Sequence, residues 1–375
     1  PGIAEIKGAG DSKISLILES TIFEDTVSNS TIDGGVLAAL GGEAWEELEA
    51  NSTIDAQVRL VPPHVFAYTL AYFTGSKEHN VRMRQRALDM GLRLNEFGLF
   101  PLEGLGDAKG LKAAENGLPA FEEEEIYEHL KMKWVPPEMR EDMGEIEASL
   151  SGTLPSLIEP VQVKGALHNH TTASDGSGSL IEMADAAMDL GWEFLGIADH
   201  SEILNIGGRS IGVPQDKVVQ QGNEIREMNY QWEEENTNFR LLHGSECDIL
   251  ADGKLDYPDN IRREFSHVVG SVHAIRSWRN RDEIENTEIL IKAIEDPTFT
   301  ILGHPTGRII GGREAFPLDM HAVLRRMGEL NSEGVLKACE INASPYRLDL
   351  DWRLCKFAKS QGVPIVINPD AHSTK

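Results

Sequence analysis

The chain has 375 residues, is 41% hydrophobic and carries a formal net charge of -26, enough length and apolar content for two separately cored domains. So large a negative charge repels nucleic acid at long range and sets aside a generic DNA-binding surface, leaving local basic patches or bound cations to meet any polymer substrate. No run approaches the roughly 18 apolar residues of a membrane span, Pro1 to Gly10 lack a signal peptide's charged start and apolar centre, and the three cysteines, Cys247, Cys339 and Cys355, show no metal or disulfide spacing. A reducing cytoplasm fits that usage.

Taken in chain order, strand-like runs cover Lys13 to Leu18 and Gln57 to Val61, with a Ser, Thr, Gly and Glu-rich insert between them, Thr21 to Thr53, read as a solvated surface excursion. A helix is predicted over His79 to Met90. The lysines and arginines from Lys77 to Arg93 form one basic segment in an acidic chain, expected to touch a phosphate backbone through Arg82, Arg84 and Arg86. From Phe121 through Trp134-Val-Pro-Pro-Glu138 to Pro160 the sequence is acidic and proline-punctuated, without a sustained apolar period, and reads as a linker. The expected organisation is a small α+β region over 1–120, a linker over 121–160 and a second domain over 161–375.

In that second domain short apolar strands alternate with amphipathic helical stretches, the pattern of a parallel α/β architecture. Strands are predicted over Gly165 to His168, Phe194 to Ala198, Leu241 to Ser245, His267 to Val272, Thr300 to Gly303, Ala338 to Asn342 and Pro364 to Asn368. Helical stretches are predicted between most of them, for example Leu180 to Leu190, Lys217 to Glu233 and Trp352 to Gln361. A seven-stranded (β/α) barrel follows, expected to be incomplete because Lys375 leaves no final helix over the last strand. The start at Pro1 and the stop at Lys375 read as a fragment cut at both ends.

Metal-capable side chains stand at the C-terminal end of nearly every predicted strand, where barrel enzymes build their active sites. In order they are His168-Asn169-His170 with Asp175, Asp199-His200, Glu246 with Asp248, His273, His304, Glu340, and Asp370-Ala371-His372. Alternate residues of an extended strand face the same way, so an HxH or DxH pair can present both side chains to one ion. Histidine mixed with carboxylate suits Mn, Zn or Fe, and the number of ligands points to two or three divalent cations. Such a cluster activates a water and clamps both oxygens of a phosphoryl displacement, which makes phosphoester hydrolysis the leading chemistry. Arg308, with Arg209, Arg347 and Arg313 in neighbouring loops, is a candidate for gripping phosphate oxygens.

This pattern resembles the polymerase and histidinol phosphatase (PHP) superfamily, whose fold is a distorted seven-stranded βα barrel. The resemblance implies that His168, His170, Glu246 and Asp370 hold one ion, that Glu246 bridges to a second held by His273 and His304, and that Asp175, His200 and His372 hold a third. Glu246, Asp370 and His372 are then the candidate catalytic residues. Leu70-Ala-Tyr-Phe-Thr-Gly-Ser-Lys-Glu-His-Asn80 and Leu94-Asn-Glu-Phe-Gly-Leu-Phe100 are similar to the palm and thumb of bacterial family X DNA polymerases, which carry a C-terminal PHP domain. In that family the Tyr72 to Gly75 segment lies beside the nucleotide sugar, and Asn80 and Arg84 fall at nucleotide and template contacts. The polymerase site reads as incomplete: two palm carboxylates would precede Pro1, and Gln57 stands for the third, an amide that supplies no charged ligand to magnesium. The resemblance implies a manganese-stimulated 3′-5′ exonuclease that processes DNA ends in repair. The alternatives are a small-molecule phosphomonoesterase of the histidinol phosphatase type and a non-catalytic metal-stabilised module.

Overall fold

The computed structural model describes residues 3–9, 13–19, 53–102, 117–206 and 208–374. The predicted insert between the first strands lies outside them. Two compact units emerge, one ending at Ile158 and the other running from Glu159 to the C-terminus.

The first unit opens with an antiparallel sheet of β1 (Ile3–Ala9), β2 (Lys13–Glu19) and β3 (Thr53–Arg59). Helix α1 (Pro63–Thr74) begins with proline at its first position, where the missing N–H is no loss. Helix α2 (Lys77–Asp89) is capped by Ser76, whose hydroxyl accepts from the His79 amide at 3.1 Å. The hairpin of β4 (Leu92–Asn95) and β5 (Gly98–Pro101) follows. Residues 121–158 are no linker. Helices α3 (Glu123–His129) and α4 (Glu145–Ser151) place Ile126, Tyr127, Leu130 and Ile146 in one core with Tyr68, Met83, Ala87 and Leu99. The acidic run that suggested a solvated tether is a helix start: Glu125 accepts from the Phe121 and Glu122 amides in a capping box, where negative charge also suits the helix dipole. Pro136 and Pro137 open a single 3-10 turn.

The second unit is a parallel sheet of seven strands in the order β14-β13-β12-β11-β10-β7-β6. Its elements are β6 (Gly165–Ala166), α5 (Leu180–Asp189), β7 (Phe194–Ile197), the ribbon β8 (Asn205–Ile206) and β9 (Arg209–Ser210), α6 (Gln215–Glu234), β10 (Arg240–Asp248), α7 (Asp259–Arg262), β11 (His267–Ser271), α8 (Ile275–Asn280), α9 (Glu283–Ile294), β12 (Ile301–Leu302), α10 (Met320–Ser332), β13 (Ala338–Asn342), α11 (Cys355–Ser360) and β14 (Ile365–Asn368). All seven predicted barrel strands are present. The ribbon β8-β9 and the short helix α7 carry no periodic signal and were not predicted.

The sheet curls until its edges meet. The His170 amide donates to the Ala371 carbonyl at 2.8 Å, and the Leu167 amide donates to the Asn368 side chain at 2.8 Å, so a bridge and an asparagine close the seam in place of a full ladder. Strand alternation sorts side chains into two layers. Leu195, Ile197, Val268 and Cys339 pack outward beneath the helices, while Ala198, Val269, Ile301 and Ala338 fill the interior. At the end opposite the candidate site, the buried His267 ring donates to the Leu167 carbonyl at 2.7 Å. A methyl group on Gly196 would come within 2.9 Å of that ring and one on Gly244 within 2.4 Å, so glycine on two neighbouring strands leaves the space it fills.

Candidate metal centre

The same alternation aims one set of residues at the mouth of the barrel. In β10, Gly244, Glu246 and Asp248 face inward, and in the segment running on from β11, His267, Val269 and His273 share one parity. His168 and His170, then Asp370 and His372, repeat the step of two at the seam. His304 and Asp370 hold left-handed backbone, φ 20° and 54°, a strained conformation for non-glycine residues that the surrounding bonds must enforce.

All nine proposed ligands converge. His168, His170 and Asp370 form one group, His168, Glu246 and His304 a second, His200, Glu246 and His273 a third, and His170, Asp175, His200 and His372 a fourth, with ligand atoms inside each group within 4.8 Å of one another. Glu246 lies at the middle: one carboxylate oxygen is 2.9 Å from His304 Nε2 and 3.3 Å from His273 Nε2, the other 2.8 Å from His200 Nδ1 and 3.6 Å from His170 Nε2. His170 Nε2 is also 3.0 Å from Asp370, and Asp175 is 3.3 Å from His372 Nε2 and 3.4 Å from His200 Nε2. His168, His170 and His200 each belong to two groups, so the structure does not partition the set into the three expected subsets.

Three rim carboxylates read from sequence as metal-capable take other parts. Glu340 accepts from His168 Nδ1 at 2.7 Å, from the His304 amide at 3.0 Å and from Asn368 Nδ2 at 2.9 Å, which turns His168 Nε2 toward the cluster. Asp248 meets His273 Nδ1 at 3.0 Å and presents Nε2 in the same way. Asp199 has the opposite parity to His200 and points outward, accepting from the Thr171 amide and hydroxyl at 2.7 Å, Ser174 at 2.5 Å and Gln221 at 2.6 Å. Asn342, which donates to Asp370 Oδ2 at 2.9 Å, escaped sequence reading. Its signal was its place at a strand end with the parity of Glu340.

Burial would raise the Glu246 carboxyl, but the imidazoles of His273, His168 and His200 more than reverse this and hold it well below the usual carboxylate range. Burial would likewise raise the Asp370 carboxyl, but His168, His170 and His372 overcome this and hold it well below the usual carboxylate range. Against burial, Glu246 with Asp175 lifts His200 to about 9, and Glu246 with Asp248 lifts His273 to about 10. His170 is pushed down by burial and by its neighbours His372 and His200.

The donor set fits divalent cations. His168 Nε2, His170 Nδ1, Asp175 Oδ2, His200 Nδ1 and both Glu246 oxygens are buried without a hydrogen bond of acceptable geometry, an arrangement that is costly unless these atoms meet positive charge.

The arginines divide. Arg308 is committed to its own fold: its guanidinium donates to the Arg347 carbonyl at 2.9 Å, to Asp351 at 2.9 Å and to the Leu348 carbonyl. Arg347 lies 3.8 Å from Asp370, at the centre. Arg313 donates to the Gly307 carbonyl at 2.7 Å, while its Nη1 is buried and unpaired. Burial, then the guanidiniums of Arg347 and Arg279, lower it to about 10. The Arg209 side chain lies outside the described residues.

Fold and site together define a seven-stranded parallel α/β barrel with a cluster of histidines and carboxylates at its rim. Residues 69–141 match the family model described as the DNA polymerase beta thumb, which runs 21 residues into the predicted linker. The chain is 35% identical over 373 residues to the DNA polymerase/3′-5′ exonuclease PolX of Bacillus subtilis, covering 100% of this chain and 55% of that protein. It thus spans about half the length of that relative. Proteins described as probable phosphatases in Clostridium acetobutylicum and Caldanaerobacter subterraneus are 26% and 28% identical over 209 and 213 residues, each match covering 55% of this chain and 78% and 74% of theirs. The similarity to that Bacillus polymerase/exonuclease thus runs the length of the chain, and the similarity to the proteins described as phosphatases covers a little over half of it.

Proposed function

We propose that the barrel is a metal-dependent phosphoesterase holding two or three divalent cations, Mn, Zn or Fe, and that its substrate is the 3′ end of a DNA strand. The observation that carries this reading is the convergence of His168, His170, Asp175, His200, Glu246, His273, His304, Asp370 and His372 on one rim, with buried atoms of His168, His170, Asp175, His200 and Glu246 left without a hydrogen bond. When bound, the cations supply Lewis-acid activation of a water and neutralise phosphate charge. The chain's own part is positioning. Glu340 and Asp248 fix which nitrogen His168 and His273 present, and Asn342 steadies Asp370. In this reading Arg347 and Arg313 grip phosphate oxygens rather than Arg308, supported by the 3.8 Å approach of Arg347 to Asp370 and the unpaired Nη1 of Arg313. Glu246, Asp370 and His372 stand nearest the reacting phosphate in this reading. The nuclease reading is preferred because similarity to the Bacillus polymerase/exonuclease runs the length of the chain. No nucleotidyl transfer is assigned, since β3 offers the Gln57 amide in place of a charged ligand.

A phosphomonoesterase is the second reading, supported by the relatives described as phosphatases. The test is hydrolysis of a 3′-labelled single-stranded oligonucleotide beside a chromogenic phosphomonoester, with manganese, zinc or chelator, for the parent and His170→Ala. Metal-dependent stepwise shortening, abolished by the substitution, is expected. Monoester turnover alone would transfer the assignment to the second reading, and silence on both substrates despite bound metal would leave a structural module.

A further inference from the structure

Beside the metal centre, the loop after β6 and the exposed face of α6 enclose a groove of about 620 Å³, a volume within the range of small-ligand clefts. Its wall begins at Thr171, one residue after His170. Asp199 ties the two together, because the carboxylate that accepts from Thr171 and Ser174, on either side of the turn leading to Asp175, also accepts from Gln221 Nε2 on the groove floor at 2.6 Å. The lining differs from the arginine side of the rim. Leu180, Ile181 and Met228 offer apolar surface, Glu224 and Glu227 project from α6, and Lys217 is the basic member. An acidic pair disfavours a phosphate there. A flat, uncharged ring suits it better, and a thioether is a favourable partner for an aromatic face.

One polar group singles out the ligand chemistry. Gln221 is 5% exposed, and while its amide nitrogen is spent on Asp199, its Oε1 is buried with no partner. A buried unpaired acceptor costs about 1–3 kcal/mol, recovered when an N–H donor reaches it. Exocyclic amines of nucleobases are such donors on a planar ring.

We propose that this groove is a nucleobase subsite, which seats the base next to the scissile phosphate and reads an exocyclic amine through Gln221 Oε1. The inference rests on the phosphoesterase reading, with substrate entering between the arginine side, which takes phosphate, and the α6 side, which takes the base.

The test has a binding arm and a turnover arm. In chelator, an oligonucleotide ending in 2-aminopurine is titrated with the full chain, and a fluorescence change reports stacking of the base. Glu224→Trp, an exposed substitution that fills the groove, is expected to weaken that response at least tenfold. With manganese present, kcat/KM is compared for oligonucleotides ending in adenosine, in purine nucleoside without the amine, and in an abasic residue. The parent is expected to favour adenosine. Gln221→Leu should erase the preference for the amine, and Glu224→Trp the preference for a base over the abasic end, each at least tenfold. Equal losses on all three ends, or an unchanged fluorescence response in Glu224→Trp, would overturn the subsite. If the parent hydrolyses none of these substrates the phosphoesterase reading fails, and the binding arm still decides the groove.

Discussion

Glu340 is wholly buried and bears on the centre only through its neighbours: His168 Nδ1, the His304 amide and Asn368 converge on its two oxygens. Glutamine keeps one acceptor oxygen, so its amide turns a donor either toward His168 Nδ1 and Asn368 or toward the His304 amide, both of which need an acceptor. Glu340→Gln should therefore lower manganese affinity by roughly 10- to 100-fold, the usual cost of losing such an orienting partner. Titration of free manganese by electron paramagnetic resonance measures this, and an unchanged affinity would mean that Glu340 does not orient His168. Sequence placed Glu340 at the rim because strand parity is legible, but parity does not tell which of two inward carboxylates reaches the ion and which reaches the imidazole. His267 makes a different case. Burial lowers it to about 4 and the bond to Leu167 only partly offsets this, so the folded ring stays neutral where an unfolded one, near 6.5, takes up a proton. Because the folded pKa lies below the unfolded one, stability is full above pH 6.5 and falls as pH drops from there toward 4. The shift corresponds to about 3 kcal/mol at the acid end. His267→Gln should flatten the decline in chelator between pH 7 and 5 when urea midpoints are compared, and an equally steep decline would place the acid sensitivity elsewhere.

At the scale of elements, parity explains what was readable. HxH and DxH repeats mark strand ends whose side chains all turn one way, so the candidate centre could be listed before any contact was known. Asp199 could not be excluded in that list, because only the presence of α6 on the outer face shows what it binds. The misread linker has a similar cause. Glu123, expected from its charge to face solvent, is 8% exposed in the fold, where both its oxygens receive Arg140 at 2.9 Å; Thr74 and the Val135 carbonyl take two further donors. A helix that buries a carboxylate against an arginine 17 residues away has no periodic signature in its own window. Removing one partner strands the other without water, so Arg140→Ala should destabilise the first unit by about 3–5 kcal/mol. Urea unfolding followed by circular dichroism would show it, and a loss below about 1 kcal/mol would mean that water reaches Glu123 freely. The basic stripe of α2 is tempered by the same neighbours. Arg82 pairs with Glu147, and Arg86 donates to the Leu130 carbonyl at 3.1 Å, so less of its charge is left for phosphate than composition implied.

For the whole molecule, the cores are the decisive feature. One apolar cluster lies entirely before Ile158, and the barrel's clusters lie entirely after Glu159. The candidate ligands all belong to the second unit, so cations that bind only its folded form stabilise that unit alone. A site at 100 times its dissociation constant adds about 2.7 kcal/mol, and further ions add to it. Calorimetry in chelator should then resolve two transitions, of which manganese raises only the one belonging to the barrel. Arg140→Ala should lower only the other, and the two perturbations applied together should act additively, since they share no partner. The net charge of -26 works in the same direction, because each cation held among Glu246, Asp370 and Asp175 relieves repulsion within the barrel. A single transition that both perturbations move would refute this independence, and it would require that the folding of the first unit be coupled to the loading of the metal centre.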